Sequence, residues 1–122
     1  MAKILVAGDK SDELRVITDV FKETNHEIVA AGDGETAERW ARTEAVDMII
    51  MDIALPKKNG FQVCRELRTD KKCDNIPIIL VNMDEQTNDR EWGLKQGATE
   101  YFTKPFTPLD VLLAVKKHLK KK

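Results

Sequence analysis

Short runs of apolar residues recur along the chain and predict the strands of a sheet. They cover Ile4–Ala7, Ile28–Ala31, Met48–Met51 and Ile76–Val81, with a weaker run at Tyr101–Thr103. The first, third and fourth runs lack polar alternation, which is typical of parallel strands covered by helices on both faces. We therefore predict a parallel sheet with a buried interior.

Amphipathic stretches separate these runs and predict helices. They cover Asp12–Thr24, Glu35–Glu44, Phe61–Thr69, Thr87–Gln96 and a last stretch after Thr107. Apolar residues with helical spacing are Leu14, Ile17, Val20 and Phe21, then Ala37, Trp40 and Ala41, then Val63, Cys64 and Leu67. The last helix has the clearest start, because Thr107 suits the N-cap, Pro108 the first helical position and Asp110 the first turn.

The order of strand and helix, repeated five times, predicts the fold class. A three-layer α/β fold with right-handed crossovers, formed as one domain over residues 1–122, accounts for this order and length. In a doubly wound parallel sheet the functional crevice lies beyond the carboxyl ends of the strands. Candidate chemistry is therefore sought where the apolar runs end.

Composition narrows the classes of function. Charged residues make up 34% of the chain and nearly cancel to a net charge of -1, which argues against direct nucleic-acid binding. Cys64 and Cys73 have no metal-ligand spacing and are typical of a reduced cytoplasmic protein. We see no signal peptide or membrane span and no phosphate-binding glycine motif. The segment Gly32-Asp33-Gly34 is interpreted as a turn.

Polar residues follow four of the apolar runs. Asp9 follows the first, Asp52 the third, Asn82 the fourth, and Lys104 the fifth. Any one of them has an ordinary structural explanation, since Asp9 alone could cap the next helix. Two carboxylates, an amide and a cation at the ends of four strands are harder to assign to turns, so we predict that they converge on one rim.

These residues lie in segments that resemble the receiver domain of bacterial two-component systems. The matching segments are Ile4–Asp9, Met51–Gly60, Ile76–Val81 and Gly97–Phe106. The second places an aspartate at the end of a buried strand before Leu-Pro-x-x-x-Gly, and the fourth contains Lys-Pro-Phe. The resemblance covers nearly the whole chain and implies a flavodoxin-like, five-stranded sheet in the order 2-1-3-4-5.

The resemblance also implies a phosphoryl-accepting site. Asp52 would be the phosphoacceptor, and Mg²⁺ would be bound by Asp9, Asp52, the backbone carbonyl of Ala54 and water. Lys104 would pair with a phosphoryl oxygen, and Asn82 stands where the family has a hydroxyl residue that contacts the phosphoryl group.

Further expectations concern conformational switching and partners. Tyr101 matches the aromatic switch position that turns inward on phosphorylation, although an ordinary edge-strand aromatic explains it equally well. Pro105 matches a position that usually follows a cis peptide bond. The implied partners are a sensor histidine kinase or phosphotransfer protein and a downstream protein target, bound through Asp84–Tyr101 and Lys104–Leu119. The implied enzymatic activity is at most self-phosphorylation from small donors and self-dephosphorylation.

Two positions depart from the family pattern. Gly8 replaces the first member of the usual acidic pair, so Mg²⁺ is expected to bind weakly, unless Asp12 or Glu13 compensates. Asn82 replaces Thr or Ser, and the bulky Met83 follows it where a small residue is usual. The amide still donates hydrogen bonds, but it is larger than a hydroxyl group.

Three functions remain open on this sequence. The first is a phosphorylatable receiver, and the second is a pseudo-receiver that acts as an interaction domain without phosphorylation, which Gly8 and Asn82 favour. The third is a phosphatase of the haloacid-dehalogenase type. That class needs a second aspartate two residues after its nucleophile, where this chain has Ala54.

Overall fold

A computed structural model describes residues 2–8, 15, 17–22, 24–83 and 89–119. The strands are β1 (Lys3–Ala7), β2 (Glu27–Ala31), β3 (Met48–Asp52), β4 (Ile78–Asn82) and β5 (Glu100–Thr103). The helices are α1 (Gly34–Thr43), α2 (Gly60–Arg68), α3 (Arg90–Lys95) and α4 (Pro108–His118). Residues 15 and 17–19 are also helical and precede β2.

The strands form one parallel sheet in the order β2-β1-β3-β4-β5, which confirms the predicted topology. Alternate residues of each central strand contribute to two apolar clusters on opposite faces, because side chains alternate along a strand. One cluster packs against α1 and α2, and the other against α4 and the helical segment that contains Ile17. The three-layer α/β architecture is therefore confirmed.

The strand bounds differ slightly from the predicted ones. The fourth strand begins at Ile78 rather than Ile76, since Pro77 has no backbone N–H for the ladder. Asp52 and Asn82 are the last residues of β3 and β4 rather than residues that follow them. The strand pairing therefore fixes the backbone of both polar residues.

Side-chain caps define three of the helix starts. Thr107 accepts a hydrogen bond from the Asp110 N–H and the reciprocal bond is also present, which confirms the predicted start of α4. Asn59 and Gln62 form an unpredicted capping box at α2. Asp33 caps α1 rather than forming only a turn, because its carboxylate accepts from the Thr36 N–H at 2.7 Å.

The buried residues identify the faces of α2 and α4 that are covered by the rest of the protein. Val63, Cys64 and Leu67 are buried as expected. In α4 the buried residues are Val111, Ala114 and Val115, whereas Leu109 and Leu113 are exposed. Within the described ranges, no helix is long and apolar enough to cross a membrane.

Candidate functional site

Strand register places the predicted site residues along one edge of the sheet. Ala7 pairs with Met51, Asp52 with Val81, and Asn82 with Thr103. The pairing continues past the strands, because the Ile53 N–H donates to the Val81 carbonyl at 3.0 Å and the Lys104 N–H to the Asn82 carbonyl at 2.9 Å. The backbones of Gly8, Asp52, Asn82 and Lys104 therefore reach the same rim, and these include three of the four residues predicted to converge there.

Asp52 and Asn82 are the two polar residues that are buried in the described part of the chain, with 5% and 2% of their surface exposed. Buried polar side chains require partners, so two polar side chains inside an otherwise apolar sheet indicate a specific role. Asp52 Oδ1 accepts a hydrogen bond from the Ala54 N–H at 2.9 Å. This bond orients the carboxylate and brings the Ala54 peptide to its side.

Gly60 allows the start of α2 to lie directly on the backbone of Asp52. A Cβ atom at this position would come within 2.8 Å of the Asp52 carbonyl oxygen and 2.9 Å of Ile53 Cα. The Gly60 N–H also donates to the Ile53 carbonyl at 3.0 Å. The glycine of the Leu-Pro-x-x-x-Gly segment therefore fixes the loop that begins at Asp52.

The same loop is attached to both flanking helices. Lys58 Nζ donates to Glu38 of α1 at 2.7 Å and to Glu66 of α2 at 3.0 Å. The Gly34 N–H donates to the Pro56 carbonyl at 3.0 Å. Sequence reasoning missed these anchors, because their partners are far apart in the chain and carry no shared motif.

Tyr101 is buried on the side of the sheet that packs against α2. Its side chain is 3% exposed, and its hydroxyl has no hydrogen bond of ordinary geometry to a described residue. Burial raises the pKa of the phenol, and the nearby Asn82 side chain and Asp89 backbone partly oppose that rise. The ring therefore faces inward, with its hydroxyl near Asn82, and its role as a conformational switch stays a prediction.

Lys104 and Asp9 are the two remaining residues that were predicted at the site. Lys104 is exposed, and its peptide bond to Pro105 is cis, as the resemblance implied. The approach of its ammonium group to Asp52 stays a prediction. Asp9, Asp12 and Glu13 lie outside the described residues, so the predicted metal role of Asp9 and the compensating role of the other two also stay predictions.

The chemistry of the described donors suits a hard cation. The described ranges contain no group of three or more His, Cys, Asp or Glu side chains that could hold a metal ion by themselves. The Asp52 carboxylate nevertheless offers oxygen atoms at the rim, beside the backbone of Ala54. Oxygen donors of this kind fit Mg²⁺ and not a soft metal.

Comparison with known proteins identifies similar chains. A family model described as the response regulator receiver domain matches residues 4–116. Protein PilH of Pseudomonas aeruginosa is 38% identical over 86% of this chain and 87% of its own length. The transcriptional regulatory protein PhoP of Bacillus subtilis is 35% identical over 98% of this chain, which spans only 49% of that relative.

A solved structure extends the comparison to the fold. The receiver domain of the sensor histidine kinase PA1611 of Pseudomonas aeruginosa superposes with a TM-score of 0.87 and 27% identity, covering 97% of both chains. That structure is described with a magnesium ion coordinated in its active-site cleft. The likeness extends over nearly the whole of both chains and therefore includes the rim described above.

Proposed function

This chain belongs to the response-regulator receiver domains of two-component systems, and from that premise we propose that Asp52 is its phosphoacceptor. We further propose that residues 1–122 form one receiver domain. The observation that carries the assignment is the buried position of Asp52 at the end of a central strand, where Ala54 orients its carboxylate. A carboxylate in such a position is a suitable nucleophile for a phosphoryl group.

The proposed donor is a phosphohistidine of a sensor kinase or phosphotransfer protein. A carboxylate oxygen of Asp52 attacks phosphorus, the new P–O bond forms, and the P–N bond to the donor imidazole breaks. The imidazole leaves with the electron pair and takes a proton from solvent. The Ala54 N–H keeps one carboxylate oxygen in a fixed direction during this step, which reduces the loss of orientational freedom.

Mg²⁺ would be held by Asp52, the Ala54 carbonyl and Asp9. The bound ion supplies charge neutralisation between the carboxylate and the incoming phosphoryl group. Gly8 provides no carboxylate at the rim, so weak binding is part of the proposal. Asp52 and Ala54 keep their arrangement through the Gly60 contact and the Lys58 ion pairs, which hold the loop between α1 and α2.

Lys104 and Asn82 are proposed to bind the phosphoryl oxygens. The hydrogen bond from the Lys104 N–H to the Asn82 carbonyl keeps the two residues on neighbouring strands at the same level of the rim. An ammonium group and an amide N–H can both donate to a phosphoryl oxygen. Tyr101 lies close to Asn82 and is proposed to transmit the change at the rim toward α3 and a downstream protein target.

Acetyl phosphate with Mg²⁺ tests this function by intact-mass measurement. We expect one phosphoryl group on the wild-type chain and none on Asp52→Asn. Asp74→Asn is the matched control. Asp74 is exposed and precedes the amino end of β4, whereas the rim lies at the carboxyl ends of the strands. Persistent labelling of Asp52→Asn would reject the acceptor assignment. No labelling of the wild type by acetyl phosphate or by a phosphorylated transfer protein would favour the pseudo-receiver.

A further inference from the structure

The ring of Tyr101 lies between residues of two different helices. Phe61 of α2 stacks on it with 6.4 Å between ring centroids and an interplanar angle of 4°. On α3, a Cβ atom at Gly93 would lie 2.7 Å from Tyr101 Cδ2 and 3.0 Å from Cε2. A side chain at position 93 is therefore incompatible with the observed position of the ring unless α3 or the ring moves.

The aromatic packing continues to the protein surface. Phe61 makes an edge-to-face contact with Trp92, with centroids 6.5 Å apart and an interplanar angle of 76°. Trp92 is 51% exposed. Phe61 is therefore held from two sides, by Tyr101 and Trp92, and both geometries are favourable for aromatic pairs.

The hydroxyl end of Tyr101 connects this packing to the rim. The Asn82 side chain and the Asp89 backbone lie near the phenol, and the negative charge of Asp52 also acts on it. Asn82 ends the strand next to the one that Asp52 ends. A displacement of the Tyr101 ring therefore changes the surroundings of Asn82 at the site.

We infer that Gly93 and Phe61 are positioning residues that form a slot for Tyr101, and that the slot keeps the hydroxyl of Tyr101 beside Asn82. Phe61 lies parallel to the ring on one side, and the bare Cα of Gly93 meets the ring edge, where a Cβ atom would come too close. As a result, α3 and the ring cannot move independently. The role of the slot in signalling rests on the proposed function, whereas the packing of the ring against Phe61 and Gly93 does not.

The chain contains a single tyrosine, so its phenol can be titrated by ultraviolet absorption without interference from others. Gly93→Ala is expected to expel the ring and to lower its pKa toward the ordinary value of 10.0. Gly32→Ala is the matched control, because a Cβ atom at Gly32 meets nothing within 4 Å. It should leave the raised pKa unchanged. Alanine is the better helix former, so helix propensity does not explain an effect at position 93.

Fluorine NMR of chain labelled with 3-fluorotyrosine gives the same information at neutral pH. Gly93→Ala should move the single resonance toward that of the unfolded chain, and Phe61→Leu should move it in the same direction by a smaller amount. If Gly93→Ala fails to fold, Phe61→Leu alone decides. A resonance and pKa unchanged from the wild type in the folded variants would overturn the slot.

Acetyl phosphate labelling of the same proteins separates the two proposals. If the wild type is labelled and its fluorine resonance moves, the movement should be lost in Gly93→Ala while labelling remains. If nothing is labelled but Gly93→Ala still shifts the tyrosine, the proposed function fails and the slot stands. If labelling occurs and neither variant affects the tyrosine, the slot fails and the phosphoacceptor stands.

Discussion

The Lys58 ammonium group lies 2.7 Å from the Glu38 carboxylate and joins the loop after Asp52 to helix α1. Arg42 donates to the same carboxylate at 2.7 Å. Burial by itself raises the pKa of Glu38, but the hydrogen bonds from Lys58 and Arg42 together outweigh it, so the net pKa is lowered. The ionised form of Glu38 therefore stabilises the attachment of the loop.

This lowered pKa predicts a pH-dependent stability. A carboxyl group with a depressed folded-state pKa stabilises above its ordinary value of 4.5, and that contribution is lost as the pH falls through the folded-state pKa. Glu38→Gln should lower the free energy of unfolding at neutral pH by about 1 kcal/mol. The difference from the wild type should shrink below about pH 4, as measured by urea unfolding across pH.

Glu27→Gln is the control for this experiment. Glu27 is exposed on β2, so its neutralisation should change the unfolding free energy little at any pH. An equal loss in both variants, or a difference at Glu38 that persists in acid, would contradict the ion-pair explanation.

We expect replacement of Arg68 to lower the free energy of unfolding by more than replacement of Glu38. Its guanidinium group donates to the carbonyls of Gly97 at 2.9 Å and Ile76 at 2.7 Å, and also contacts the Asp74 carbonyl at 3.2 Å. Arg68→Met leaves these acceptors without the donor, so we expect a loss of roughly 2–4 kcal/mol in the free energy of unfolding. Denaturant titration measures it.

Arg65→Met in the same helix is the matched variant. Arg65 is exposed, and its replacement should cost less than about 0.5 kcal/mol. Similar losses for the two arginines would show that the Arg68 hydrogen bonds add nothing to ordinary surface contributions.

The cysteines are predicted to be unreactive in the folded chain. Burial raises the pKa of Cys64 to about 11, and burial also raises that of Cys73. The thiolate is the reactive form, so at pH 8 a disulfide reagent such as Ellman's reagent should react only after unfolding. The rate should follow urea concentration through the unfolding transition. Cys64→Ser leaves a single thiol, which assigns the rate to Cys73.

The sequence pattern was sufficient to predict the architecture, because strands buried on both faces appear in the sequence as continuous apolar runs. The residues of β3 are all buried, and an unbroken apolar run is what such a strand requires. The helix start at Thr107 was equally readable, since a cap depends on residues close together in the chain. The location of the rim could be predicted from the residues at the strand ends, because the carboxyl ends of parallel strands lie at the same edge of the sheet.

The contacts around Tyr101 could not be read in this way. Phe61, Gly93 and Tyr101 belong to three elements, and periodicity does not reveal which side chains meet across elements. The exposed Leu109 and Leu113 illustrate the same limit, because hydrophobicity alone does not identify the buried face of α4. The Asn59 capping box, in contrast, has a local sequence signal in Asn-x-x-Gln.

Position 8 lies beside the proposed metal site and has no carboxylate in this chain. The Gly8 N–H donates to the Ala31 carbonyl at 3.0 Å, so its backbone lies at the carboxyl end of β1 beside the rim. A carboxylate added about 4 Å from a divalent ion contributes roughly 2 kcal/mol in a water-like dielectric, which is more than tenfold in affinity. Gly8→Asp should therefore tighten Mg²⁺ binding by about this factor in calorimetry.

The same substitution should have the opposite effect without metal. An extra negative charge beside Asp52 repels it, so metal-free Gly8→Asp should unfold at lower urea concentration than the wild type, and excess Mg²⁺ should reverse the order. Gly32→Asp is the control, because Gly32 follows the edge strand β2 and has open space around its Cβ position. It should leave Mg²⁺ affinity unchanged. Equal affinity in Gly8→Asp and the wild type would mean that position 8 does not contribute to the metal site.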